Sequence, residues 1–365
     1  MTNLEQAPAE TVCDGSGATD AVQVLEPRDV PLGGIRAMTV RRTLPQRARS
    51  LIGAWCFLDH YGPDDVSVTG GMRVPPHPHT GLQTVSWLFS GEIEHRDSLG
   101  THTLVRPGQL NLMTAGHGIS HSEDSTARTT VLHGVQLWTA LPAVHRDTAP
   151  AFQHYAPPAL RLDGATVRVF LGSLAGELSP VPTFASVVGA ELLLDAGSVH
   201  TLVVDPDHEH GLLVDEGTVS VAGATGAPGQ LLYLPPGRTQ LRLTAGDGPV
   251  RLVLIGGAPL GERIVMWWNF VGRSHEDVVE ARRQWQAEIG ASDEPQPSDD
   301  ERQPGADDGR SRGRGVEERP GAVPVGTGSG GDVTSPAPRF GRVLGHSHPP
   351  LPAPVIPPLR LTPRG

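Results

Sequence analysis

A chain of 365 residues is long enough for two domains with sizeable cores. Its formal net charge of −11 argues against a general nucleic-acid binder, which would show a basic face. No run approaches the ~20 apolar residues of a membrane span and no N-terminal stretch resembles a signal peptide, so the chain reads as soluble and cytoplasmic, without direct contact to nucleic acid or membrane.

Residues 1–21 are small, polar and acidic without periodicity, and read as a disordered N-terminal tail. Residues 22–150 carry short apolar segments punctuated by Gly, Pro and Asp, and form a first domain. A strand is expected over 84–89, ended by Ser90-Gly91, and another over 110–113, introduced by Arg106-Pro107-Gly108. Many short strands with turn signals between them indicate a sandwich or barrel. Residues 151–288 repeat the texture, with apolar runs at 191–194, 199–204, 211–214 and 230–234. Each half has a His-x-His, a strand, a Gly turn and a Pro-Gly turn, which reads as a distant internal duplication.

The pattern then turns helical from His275 to Trp285. Ser274 is placed to cap this helix, with Asp277 three residues on, and Val278, Val279, Arg282 and Trp285 form its expected buried stripe. Residues 289–365 are rich in Pro, Gly, Asp, Arg and Ser and read as a disordered tail. Within it, Pro349-Pro350-Leu351-Pro352 could dock a polyproline-binding partner. Cys13 falls in the first tail and Cys56 in an apolar run, so Cys56 is expected buried and reduced.

The chemistry concentrates in His77-Pro78-His79 and His121-Ser122-Glu123. In a strand, i and i+2 point to one face, so two such strands facing each other inside a barrel offer three imidazoles and a carboxylate to one ion. Nitrogen and oxygen ligands of this kind suit a divalent first-row metal. Pro78 lacks a ladder N–H, which places its strand at a sheet edge or entry. His121 follows the bend Ala115-Gly116-His117-Gly118, where glycines allow close backbone approach. His60, His95 and His102 read as turn residues or supports for the ligands, and His133 as pocket lining at most. Trp87, Met113 and Trp138 read as core before pocket wall. His208-Glu209-His210 repeats the first pair, but residues 234–240 offer no His, Asp or Glu beside it. Two ligands make a poor site, so the second half reads as structural.

With these residues in view, the chain resembles the pirin family of bicupins over roughly Glu26 to Trp285. The strongest marks are the run from Pro76 to Val85 and the run from Met113 to Glu123, supported by the run from Phe57 to Pro63, that from His95 to Gly100, and Gln136-Leu137-Trp138. The resemblance implies an all-β chain of two tandem cupin (jelly-roll) domains with a short C-terminal helix. It implies one metal, iron(II) before nickel, copper, manganese, cobalt or zinc, held in the first domain by His77, His79, His121 and Glu123. Some pirins open flavonols such as quercetin with dioxygen, which implies a small aromatic substrate, with Glu123 as the catalytic proton acceptor. Others act as metal-dependent regulators of a transcription factor or a metabolic enzyme, which implies a protein partner instead. Gln83 stands where many relatives have Glu, and His117 where Arg is common, both expected near the pocket.

Overall fold

The computed structural model describes residues 21–32, 38–291 and 337–363. The expected disorder of the N-terminal tail, and the state of Cys13, fall outside them.

Neighbouring strands Leu82–Ser90 and Val131–Ala140 show how the sequence pattern is used. Val85, Trp87, Val135 and Leu137 enter one apolar cluster, while Ser86 and Gln136 lie on the other face and bond to each other at 2.9 Å. Alternate residues of a strand point to opposite faces, so a sheet buried on both sides needs each set either apolar or hydrogen-bonded. These strands sit centrally in a seven-stranded antiparallel sheet that also contains Arg28–Leu32, Met38–Leu44, Trp55–Asp65, Leu110–Thr114 and Ala151–Tyr155. A four-stranded sheet accompanies it, in the order Arg73–His79, Ile119–Ser125, Ile93–Asp97, His102–Val105.

The second half repeats this plan with a seven-stranded and a four-stranded antiparallel sheet. The two large sheets share one core: Trp55, Leu58, Trp87 and Leu137 of the first meet Phe170, Leu213, Val253 and Ile255 of the second. Trp87 and Phe170 rings are 4.7 Å apart, and the Trp55 indole N–H donates to the Gly256 carbonyl at 3.0 Å. Trp87 is therefore a domain-joining residue, away from the cupin interior.

The sheets do not divide where composition places the boundaries at residues 22 and 151. Gln23–Leu25 pairs with Leu231–Leu234 in the second large sheet, and Ala151–Tyr155 pairs with Leu110–Thr114 in the first. An edge strand is held by backbone N–H and C=O groups, which composition does not encode, so each half lends the other an edge.

Helix His275–Ile289 forms with Ser274 and Asp277 in a reciprocal capping box, and Gly290 closes it in the left-handed region. Its buried residues are Val278, Ala281, Arg282, Trp285 and Gln286; Val279 faces outward, contrary to the expected stripe. The expectation of a wholly disordered C-terminal tail also fails. Residues 337–363 pack on the body, with Phe340, Ala353 and Leu361 buried in one cluster with Trp268, Phe270 and Trp285. Low overall hydrophobicity concealed a few apolar residues at useful spacing.

Candidate metal centre

Strands Arg73–His79 and Ile119–Ser125 are antiparallel neighbours in the small sheet, with His77 directly opposite His121. The two ligand pairs thus come from one sheet rather than from strands facing across the barrel. The His77 strand is at the sheet edge, as Pro78 requires. Before His121 the chain turns at Gly116, whose φ is +53 and where a Cβ would lie 1.9 Å from the Thr148 carbonyl oxygen, so only glycine fits.

His77, His79 and His121 bring one ring nitrogen each to within 4.8 Å of the others, and all three are fully buried. Two of the three rings are anchored on their far side. His77 Nδ1–H donates to the Pro75 carbonyl at 2.9 Å, leaving a buried Nε2 without a partner. His121 Nδ1 faces His95 Nδ1 at 3.4 Å, and His95 Nε2–H donates to Asp97 Oδ2 at 3.3 Å. That chain puts the proton of neutral His121 on Nδ1 and leaves Nε2 as a bare lone pair. Burial lowers all three imidazoles well below the ordinary histidine range, His77 to about 3. They are neutral at physiological pH, the form that binds metal.

His79 Nε2 and His121 Nε2 lie 3.1 Å apart. Two metal–nitrogen bonds of about 2.1 Å at right angles end roughly 3.0 Å apart, so the spacing is that of adjacent ligands on one ion. The orphaned Nε2 of His77 and the donor set both fit a divalent metal. Trp138 holds His79 edge-on, with centroids 5.2 Å apart, and is itself stacked on Phe57 at 3.9 Å.

Glu123 is offset from this trio. Its carboxylate groups with His121 and His95. The register explains the offset: His121 faces His77 but Glu123 faces Val74, so the extra residue of a bulge falls at Pro75-Pro76, where neither N–H is available to the ladder. Glu123 Oε1 accepts from Ser86 Oγ at 3.2 Å, and the Tyr61 hydroxyl nearby is buried without a partner.

The other candidates separate from the site. His117 is exposed, with Nδ1 at 3.2 Å from the Thr148 carbonyl, and Gln83 is held to Thr114 at 2.9 Å within its sheet. His102 is a surface partner of Glu94. Cys56 is buried and free, its thiol pushed up to about 12 by burial. In the second domain Glu209 joins the halves, accepting from Gly53 N at 2.7 Å and the Tyr233 hydroxyl at 2.8 Å. Among the described residues no metal-holding group forms around His208 and His210.

A second histidine cluster has no counterpart in the sequence motifs. His60 and His133 of the first domain both donate Nε2–H to Asp215 Oδ1 of the second, at 2.7 and 2.6 Å, while Arg251 Nη1 donates to Asp215 Oδ2 at 2.9 Å. Burial works against the Asp215 charge, but hydrogen bonds from His133 and His60 outweigh it and hold the carboxyl well below its ordinary range. Here Nε2 is spent on a hydrogen bond, and no side-chain polar atom of the three residues is orphaned. The cluster is a polar clasp between domains. Its residues lie too far apart in sequence for spacing to reveal it.

A surface cavity of about 320 Å³ lies beside the centre, lined by Thr80, Gly81, Gly116, Arg146, Asp277 and Arg339 among others. None of His77, His79, His121 or Glu123 lines it.

The family model for pirin matches residues 37–139, and that for the pirin C-terminal cupin domain matches residues 189–289. The chain belongs to the pirin family. Over 294 residues this pirin is 44% identical to a Pseudomonas aeruginosa protein provisionally named quercetin 2,3-dioxygenase, covering 78% of this chain and 91% of that one. A Caulobacter vibrioides pirin-like protein is 34% identical over 260 residues, covering 68% and 88%. The crystal structure of a quercetin 2,3-dioxygenase from Acinetobacter baumannii superposes with a TM-score of 0.76 at 33% identity, covering 93% of this pirin and 97% of that chain. The two-cupin architecture follows from both kinds of likeness. No helix among the described residues is long and apolar enough to cross a membrane.

Proposed function

We propose that this pirin is a metal-dependent dioxygenase of the quercetin 2,3-dioxygenase type, opening a flavonol ring with dioxygen and releasing carbon monoxide. One observation carries the reading: three buried neutral imidazoles, two of them anchored behind, bring a ring nitrogen each to one point inside a cupin. The names of the Pseudomonas and Acinetobacter relatives support it.

His77, His79 and His121 would hold the ion, with Glu123 completing the set from the His121 side. Iron(II) suits such ligands, as do nickel, copper, manganese, cobalt and zinc. A divalent ion there supplies Lewis-acid charge stabilisation and a template for substrate oxygen and dioxygen. The chain's own contribution is positioning and proton handling. Glu123 is the proton acceptor for the flavonol 3-hydroxyl, and Ser86, bonded to both Glu123 and Gln136, fixes the carboxylate against the sheet. Trp138 and Phe57 hold His79 in place and exclude water on that side.

The test is anaerobic loading with Fe(II), a count of metal per chain, then oxygen uptake and carbon monoxide release with quercetin. One metal per chain and turnover that disappears in His121→Ala are expected. Stoichiometric metal without turnover would instead favour a metal-dependent regulator that binds a transcription factor or metabolic enzyme. That second reading has its own support in the burial of all four residues, none of which lines the neighbouring surface cavity.

A further inference from the structure

Arg282 is an odd member of an apolar helix face, being 9% exposed beside Val278 and Trp285. Its guanidinium Nε–H donates to the Pro354 carbonyl of the C-terminal segment at 2.6 Å. One helical turn on, the Trp285 indole N–H donates to the Leu351 carbonyl at 2.8 Å. Gln286 Oε1 accepts from the Ala353 N–H at 2.8 Å. Three side chains of one helix face thus read three backbone groups of a four-residue stretch.

That stretch belongs to a run in which positions 349, 350, 352, 354, 357 and 358 are proline. Proline fixes φ near −65° and removes N–H groups, so such a run favours the extended polyproline helix of three residues per turn. Carbonyls of Leu351 and Pro354 are three apart and fall on one side of such a helix, where the two donors meet them. Ala353 supplies one of the few N–H groups in the run, and Gln286 takes it. Donors aimed at carbonyls, with aromatic rings behind them, are the usual way a groove recognises proline-rich chain. Trp268, Phe270 and Trp285 supply the aromatic floor, and Phe340, Ala353 and Leu361 of the segment pack against it.

The same segment lies along the metal-bearing sheet. Ser120 N donates to the Phe340 carbonyl at 3.0 Å, Leu351 N to the Pro76 carbonyl at 2.8 Å, and His346 pairs with Asp124 at 2.8 Å. Arg339 donates to the His117 carbonyl at 2.6 Å and forms part of the cavity wall. At Gly118 a Cβ would stand 2.8 Å from the Arg339 side chain and 2.9 Å from its carbonyl oxygen, so the path of the segment requires glycine there.

We propose that Arg282, Trp285 and Gln286 form a polyproline-recognition site whose resident ligand is the chain's own residues 349–361, and that the segment is a releasable strap over the metal-bearing sheet. Residues 292–336 join the strap covalently to the helix, so it binds intramolecularly, at an effective concentration on the order of 1 mM. An intrinsic Kd on the order of 10 µM would then keep it closed about a hundred to one.

The test uses the full chain carrying a site-specific protease sequence between Ala291 and Ala337, folded intact and then cut. A fluorescent peptide of residues 339–361 is titrated against cut and uncut protein at sub-micromolar concentration, after gel filtration. The cut protein should release its strap and capture the peptide about a hundredfold more tightly than the uncut chain. Trp285→Phe, which keeps an aromatic ring but loses the indole N–H, should weaken capture about tenfold, and a peptide with glycine at 352, 354, 357 and 358 should not bind. A severed segment that co-elutes and resists excess peptide would overturn the proposal, as would release without recapture or equal binding of the glycine peptide.

Discussion

His121 keeps Nε2 bare because its Nδ1 proton has a destination, and that destination is His95, which sends its own proton to Asp97. Outer partners of this kind fix the tautomer and ring orientation of a ligand, and their loss typically costs 10–100-fold in metal affinity. His95→Ala should therefore weaken metal binding by roughly that factor while leaving the fold intact. Competition against a chelator measures the affinity and circular dichroism the fold; an unchanged affinity would show that the His95 relay does not orient His121. The clustering of the candidate ligands was legible in sequence because their chemistry sits at i and i+2. His95 was visible as a support only in outline, since its role depends on strand Ile93–Asp97 placing it opposite Glu123 and Asp97 opposite His121. The tautomers also separate the two histidine clusters, with Nε2 left open in one and protonated toward Asp215 in the other.

At the scale of elements, local signals were reliable where the governing contacts are themselves local. The C-terminal helix begins at the residue after Ser274 because both halves of its capping box lie within four residues. Ser274→Ala removes the acceptor for Asp277 N–H and should lower stability by about 1 kcal/mol. Urea unfolding checks this, and metal affinity should not change, because the helix carries none of the ligands; a loss of metal would instead couple the helix to the centre. The burial of Arg282 and the exposure of Val279 were not legible, because the partner of that face is a segment some seventy residues away. The offset of Glu123 has a similar origin: Pro75-Pro76 was visible, but which strand would pair with it was not.

For the whole molecule, two repeated halves could be read from the sequence, yet the way they are tied together could not. Edge strands are exchanged in both directions, and the Asp215 clasp joins residues 60, 133 and 215, which no motif connects. The clasp makes the molecule sensitive to acid. Burial holds the folded His60 imidazole below its ordinary value, with Asp215 opposing, so as pH falls through about 6.5 the unfolded chain gains a proton that the folded chain does not. Stability therefore falls in that window. Asp215 acts in the same direction at lower pH, because its folded carboxyl stays ionised after the unfolded one, near 3.9, has begun to protonate. Asp215→Asn removes the charge and can set an amide N–H₂ against the Arg251 guanidinium. Breaking a buried pair costs about 3–5 kcal/mol, and partial solvent access at Arg251 reduces this to about 2–3 kcal/mol at neutral pH. The difference between the parent chain and the variant should narrow as pH drops below about 4, because acid withdraws from the parent what the substitution has already removed. Urea midpoints at pH 7, 5 and 3.5 measure the gap. A gap that stays constant across this range would mean that the carboxylate charge contributes nothing to holding the two cupins together.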